Sequence, residues 1–247
     1  MMKESIISAG SAAEAAASAD LVIIDTGCAN LSSVKFAFER LGAKVLVSCE
    51  PDVLRAAPRL VLPGVGTAAA AMDALRAREL DKLIPTLRQP VLGVCLGMQL
   101  LMTRSHERGA KGEDIDCLDI IPGEVRELDA RSQPLPHMGW NQLKVSGHPL
   151  FAGIEAGEWV YFVHSFCAPE SATTIASCQY GEAFSAAIAK DNFMGVQFHP
   201  EKSAATGAKI LKNFLRLTLA DLGLTTAEPG LIENSPAQAN VDTLEQS

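Results

Sequence analysis

Of the six cysteines (Cys28, Cys49, Cys95, Cys117, Cys167 and Cys178) no two form a C-x-x-C pair, and no histidine lies three to five residues from another. The spacing therefore supports neither a disulfide framework nor a zinc site. The chain also has no basic surplus: 21 Lys and Arg face 29 Asp and Glu, a net charge of −8. Five of the acids (Asp221, Glu228, Glu233, Asp242, Glu245) fall in the last 27 residues, which hold no Lys or Arg, and residues 1–19 carry net −1, leaving −2 for residues 20–220. The acidity is a property of the ends, and a nucleic-acid partner is disfavoured. No apolar run nears the ~20 residues that span a bilayer, and the first twenty residues lack a signal-peptide core. The expectation is a cytoplasmic protein with reduced thiols and no membrane partner. There is no G-x-x-x-x-G-K-[ST] and no G-x-G-x-x-G, so neither phosphate-binding fingerprint is present.

With 48% apolar and 20% charged residues the chain has the means to form a sizeable core. Residues 1–19, Ala/Ser-rich with no large side chain after Ile7, read as a flexible tail. Residues 220–247, with Pro229, Gly230, Pro236 and scattered apolar side chains, read as a second, acidic tail. One folded domain over 20–219 is expected between them. In its first half strands and helices alternate: LVIID (21–25), a helix with Leu31, Val34, Phe38 and Leu41 on one face, KVLVS (44–48), RLVLP (59–63), a helical stretch over 68–88 interrupted near Pro85, PVLGV (90–94) and a helix over 96–102. Short connections between such elements give a parallel sheet covered on both faces. From about 120 to 200 short strands dominate (EVREL, WVYFVHSF, TIASC, AFSAAIA, FMGVQF), and residues 203–220 close the domain as an amphipathic helix. The fold class is α/β: an open, mostly parallel sheet flanked by helices, with an antiparallel or mixed extension in the second half.

Three sites at strand ends carry chemistry. In Gly93-Val94-Cys95-Leu96-Gly97 a nucleophile ends a strand with glycine two positions away on either side, the pattern of a nucleophile elbow. The turn is too cramped for side chains at the flanks, the N-terminus of the next helix favours a thiolate, and the Leu96 N–H is placed to donate to an oxyanion. An isolated G-x-C-x-G also fits a buried cysteine in a glycine-relieved strand end. His199 ends the strand FMGVQF and is followed by Pro200 and Glu201. Proline biases His199 to extended backbone, and a carboxylate two residues on can orient the imidazole and stabilise its cation; a packed histidine at a helix cap fits the same three residues. Leu62-Pro63-Gly64-Val65-Gly66 ends a third strand, where a glycine loop can aim a backbone N–H into the crevice beyond the sheet. Together these supply nucleophile, base, orienter and oxyanion donor, the parts needed for acyl transfer.

LPGVG, GVCLGMQLL and GVQFHPEKS resemble the signature segments of the class I, triad-type glutamine amidotransferases. Asp25-Thr26-Gly27-Cys28-Ala29-Asn30-Leu31, Pro136-His137-Met138-Gly139-Trp140-Asn141 and YFVHSF (161–166) resemble, within that class, the glutaminase subunits of imidazole glycerol phosphate synthases; the resemblance runs from about residue 21 to about 216. Phe166 departs from it, standing where those subunits often have Tyr. The resemblance implies a reaction with no cofactor and no metal. Cys95 attacks the side-chain amide of L-glutamine, His199 passes the proton to departing ammonia and then activates water, and Glu201 holds His199. The backbone of Leu96, Gly64, Val65 and Gly66 forms the oxyanion hole, and Gln99 and the backbone of Ser165 contact the substrate. It further implies a heterodimer with a (β/α)8-barrel cyclase subunit that receives the ammonia, makes imidazole glycerol phosphate and aminoimidazole carboxamide ribotide in histidine biosynthesis, and is contacted through His137, Met138, Trp140 and Asn141. Another class I glutaminase, a γ-glutamyl hydrolase or a non-catalytic glutaminase-like subunit remain alternatives at this point. Trp140, in a stretch read as a loop, fits a core position as well as an interface.

Overall fold

The computed structural model describes residues 9–27, 31–109 and 112–225. Cys28, Ala29 and Asn30, and the outer parts of both expected tails (1–8 and 226–247), lie outside the described residues. The first half builds α1 (Ala9–Ser18), β1 (Leu21–Ile24), α2 (Leu31–Arg40), β2 (Val45–Ser48), α3 (Pro51–Ala56), β3 (Leu60–Gly64), α4 (Ala68–Ala77), α5 (Leu80–Leu83), β4 (Val91–Cys95) and α6 (Leu96–Leu100). The second half adds ten short strands among the described residues, from β5 (Met102–Ser105), β6 (Ile115–Asp116) and β7 (Ile121–Glu127) through β8 (His137–Gln142), β9 (Lys144–Val145), β10 (Trp159–His164) and β11 (Phe166–Cys167). It ends in β12 (Thr174–Tyr180), β13 (Glu182–Lys190), β14 (Phe193–Val196) and then α7 (Ala204–Arg216).

The main sheet has eight strands in the order β2-β1-β3-β4-β14-β13-β12-β9. Its first five strands are parallel and its last three antiparallel to their neighbours, the mixed extension that the change of pattern after residue 120 predicts. Successive side chains of a strand face opposite sides, so β1 sends Val22 and Ile24 into one core, and Leu21 and Ile23 into the other. The first core is closed by α3, α4 and α6 through Leu54, Met72, Leu75 and Met98, the second by α2 and α7 through Phe38, Ile210 and Phe214. Two smaller sheets stand at the carboxyl ends of the parallel strands' half: β10-β8, and β11-β7-β5-β6.

Several stretches differ from the expectations. Within the first nineteen residues lies a helix, α1, packed against α3, with Ala16 wholly buried; alanines let the two backbones approach without a large side chain to bury. A single 3-10 turn at Ala220–Leu222 falls inside the expected C-terminal tail. The helix after Cys95 ends at Leu100, and Met102 instead pairs with Ile121 as the start of β5. PHMGWN is not a loop: His137–Gln142 form β8, antiparallel to β10 with Trp140 opposite Tyr161 and His137 opposite His164. The continuous run WVYFVHSF is broken at Ser165, where the chain leaves β8 and joins β7.

Candidate active site

The elbow is built from backbone in close contact. Cys95 has φ 55° and ψ −113°, a conformation L-residues adopt only under constraint. The constraint is the crossing of β3 beneath the turn. A Cβ at Gly64 would lie 2.7 Å from the Gly97 amide nitrogen, and one at Gly97 would collide with the Leu62 carbonyl. Glycine at these positions lets β3 and α6 approach, which turns the Cys95 side chain up into a cleft of 430 Å³ beyond the strand ends.

His199 reaches the same cleft from β14, the neighbour of β4. Its backbone is clamped on both sides: its N–H donates to the Tyr161 carbonyl at 2.9 Å, and its carbonyl accepts from Ser203 Oγ at 2.7 Å. The 3-10 turn Pro200–Lys202 then folds Glu201 back so that its Oε1 lies 2.9 Å from His199 Nδ1. Both side chains are buried, at 8% and 2% exposure. Burial works against an imidazolium here, but the hydrogen bond to Cys95, then that to Glu201, and the charges of both partners outweigh it and raise His199 to about 9. Cys95 remains reachable through the cleft and also contacts the Val163 carbonyl and Gln197 Nε2, each at 3.9 Å.

Val65, Gly66 and Leu96 line the cleft beside the thiol, and Gly64 lies beneath them against α6. Gln99 lines it too, nearly buried, with its amide nitrogen donating to the Phe166 carbonyl (3.0 Å) and to Gln197 Oε1 (2.9 Å). Both N–H groups are thereby spent, which leaves the Gln99 oxygen as its free function. Ser165 sits at the break between β10 and β11, where its carbonyl accepts from Leu128 N–H at 2.9 Å and the residue faces the cleft. Phe166 also lines the cleft.

Three residues in or behind the cleft carried no role in the sequence reading. Glu107, in the charged stretch RSHERG (104–109), lines it and accepts from Ala68 N–H at 2.6 Å at the start of α4. Gln197, fully buried, joins Gln99 to Cys95; a polar residue ending the apolar run FMGV was its one sequence signal. Lys202 lines the rim with its Nζ 6.0 Å from the Tyr161 ring centroid.

The four residues expected at a partner surface divide by the alternation of β8. Met138 and Trp140 point outward, 62% and 48% exposed, whereas His137 is buried at 2% and Asn141 turns inward. His137 is thus a correction: it lies between Phe162 and Tyr180, at ring-centroid distances of 4.8 and 4.0 Å, and does not reach the surface. Among the described residues no group of three or more His, Cys, Asp or Glu side chains is arranged to hold a metal ion, and no helix is long and apolar enough to cross a membrane.

A cysteine on an elbow, a histidine raised by it and a carboxylate behind the histidine, all above a parallel sheet, define a thiol-dependent acyl-transfer enzyme, and the comparisons narrow the class. The chain belongs to the class-I glutamine amidotransferases, whose family model matches residues 22–217. Within that family it groups with the HisH subunits of imidazole glycerol phosphate synthase. It is 63% identical over 208 residues to the subunit HisH of Shewanella sediminis, covering 84% of this chain and 95% of that one. It is 56% identical over 200 residues to that of Vibrio cholerae, covering 80% and 98%. Two crystal structures share the fold: a glutamine amidotransferase with a TM-score of 0.61 at 16% identity, covering 81% of this chain and 98% of that one, and one from Thermotoga maritima with 0.53 at 17%, covering 79% and 80%.

Proposed function

We propose that this enzyme hydrolyses the side-chain amide of L-glutamine and hands the ammonia to a cyclase partner, as the glutaminase subunit of a cytoplasmic imidazole glycerol phosphate synthase in histidine biosynthesis. The observation that carries the reading is that Cys95 and His199, residues far apart in the chain, line one open cleft, with Glu201 Oε1 2.9 Å from the imidazole Nδ1. The thiolate adds to the amide carbon, and the oxyanion is met by backbone N–H groups of Val65 or Gly66 and Leu96. The His199 imidazolium, held by Glu201, gives its proton to the leaving nitrogen; ammonia departs, and a γ-glutamyl thioester remains on Cys95. His199, now neutral, takes a proton from water, whose attack on the thioester releases glutamate and restores the thiol.

The amino-acid end of the substrate has complementary groups. Glu107, the one carboxylate among the residues lining the cleft, suits the α-ammonium, and the free Gln99 oxygen adds an acceptor. For the partner, the outward face of β8 and β10 offers Met138, Trp140, Trp159 and Tyr161 as an apolar patch with Lys202 at its edge, the composition of an interface core. A (β/α)8 barrel seated there would form the heterodimer and receive ammonia without its passing through bulk water. The five described cysteines are unpaired, which fits a reducing compartment.

The test is glutamate release by the purified chain with and without the barrel subunit and its nucleotide ligand, beside Cys95→Ala. Wild type is expected to release glutamate in the complex and Cys95→Ala to show only background. Equal activity of the two would overturn the assignment, and full activity without the partner would favour a free-standing hydrolase.

A further inference from the structure

A row of buried polar groups joins β8 to the cleft, and elementary hydrogen-bond chemistry fixes which group donates at each step. The Phe166 carbonyl can only accept, so His164 Nδ1, 2.9 Å away, carries a proton. Burial drives His164 down to about 3 and His137 down to about 4, so both rings are neutral and each has a single N–H. His164 Nε2 is therefore an acceptor, and the proton 2.9 Å from it belongs to His137 Nδ1. His137 Nε2 in turn accepts from the Asn141 amide at 3.3 Å, whose nitrogen also donates to the Gln179 carbonyl at 2.9 Å. From the other side Gln99 donates to the same Phe166 carbonyl and to Gln197, which ends at Cys95.

The Phe166 carbonyl is the junction of two donors, and Gln99 depends on it. Were His164 free to turn, the carbonyl and the Gln99 amide would lose the arrangement that spends both Gln99 N–H groups and leaves its oxygen for the substrate. His164 is held by packing against the rings of Phe162 and Phe184 and, at its Nε2, by the bond from His137, a residue that does not itself line the cleft. His137 is held by the flanking rings of Phe162 and Tyr180.

We infer that His137 is a positioning residue for glutamine: through His164 and the Phe166 carbonyl it fixes the Gln99 amide that receives the substrate. This rests on the glutaminase reading above. A role confined to filling the core would affect stability and leave substrate affinity alone.

His137→Phe keeps a flat ring between Phe162 and Tyr180 and removes only the donor; His137→Asn places an amide N–H where the imidazole Nδ1–H was. In the complex with the cyclase subunit, His137→Phe is expected to raise KM for glutamine roughly tenfold with kcat within about twofold, and His137→Asn to recover most of the loss. An unchanged KM, a fall in kcat alone, or an asparagine variant no better than phenylalanine overturns the proposal. A second readout needs no turnover: alkylation of Cys95 in the full-length chain, followed by mass spectrometry of its peptide. Iodoacetamide, too small to use the amino-acid subsite, should react with His137→Phe at the wild-type rate, while a glutamine-shaped chloromethyl ketone should react roughly tenfold more slowly. Equal slowing of both reagents would mean that His137 acts on the thiol or the fold, and overturns the proposal. Failure of the glutaminase reading looks different: the wild-type complex itself would release no glutamate.

Discussion

The imidazole of His199 is pulled in two directions, by burial toward neutrality and by Cys95 and Glu201 toward the cation, and the hydrogen bonds prevail to give about 9. A proton donor of that strength is still charged at neutral pH. The glutaminase kcat/KM should hold level through neutrality and decline as pH rises through about 9, a limb that belongs to the thiol–imidazole pair as a unit. In Glu201→Gln one of the raising influences is gone, so the limb should move to lower pH and kcat should fall by about a hundredfold; a pH–rate profile of the two enzymes checks both. Cys95, His199 and Glu201 were legible because their signals are local: glycines two positions either side, and an H-x-E at a strand end. Glu107 and Gln197 were not. Glu107 enters the cleft only because the chain after β5 passes the start of α4, a tertiary event that leaves no mark on the stretch RSHERG.

Strand β8 shows why a motif can be noticed and its structure still misread. Its alternation is inverted for a half-buried strand: polar His137 and Asn141 face inward, while Met138 and Trp140 face solvent. With Pro136 before it and Gly139 within it, the stretch offers neither the composition nor the period expected of a strand. The inversion follows from what each face meets, a hydrogen-bonded histidine pair inside and, on the reading proposed above, another protein outside. Trp140→Ala should accordingly change the stability of the isolated chain by no more than about 0.5 kcal/mol yet weaken the complex with the cyclase subunit by at least about tenfold. Urea unfolding and titration calorimetry measure the two effects separately. By contrast, α2, α7 and the five parallel strands carried patterns that agreed with their surroundings, and the first half of the sheet was readable to within a residue or two of its ends.

For the whole molecule the strand order of the second half was beyond a sequence reading, because nothing local tells β10 to leave β8 at Ser165 or tells β9 to close the far edge of the main sheet. The buried histidines nonetheless give the folded chain a calculable response to acid. His137 and His164 have folded values of about 4 and about 3, below the ~6.5 of an exposed imidazole. As pH falls below that ordinary value the unfolded chain takes up protons that the folded chain refuses, so stability drops between roughly pH 6.5 and 4. His199, raised to about 9, acts with the opposite sign: its contribution is complete below the ordinary histidine value and is lost as pH rises through about 9. These groups together place greatest stability near pH ~6.5. Urea midpoints measured from pH 5 to 9 should peak there, and His137→Asn should flatten the acid side of the curve.

The left-handed φ of Cys95 has one more consequence, for a pair of dead enzymes. In ordinary helix or strand positions glycine is worse than alanine by roughly 0.5–1 kcal/mol because it has more freedom to lose. At position 95 the order should reverse: alanine inherits the same awkward torsion as the native thiol, whereas glycine adopts it freely. Calorimetric scans of Cys95→Gly and Cys95→Ala should find the glycine protein melting at the higher temperature, and the gap between them would gauge how much thermal tolerance the native sequence forgoes to keep its nucleophile upright.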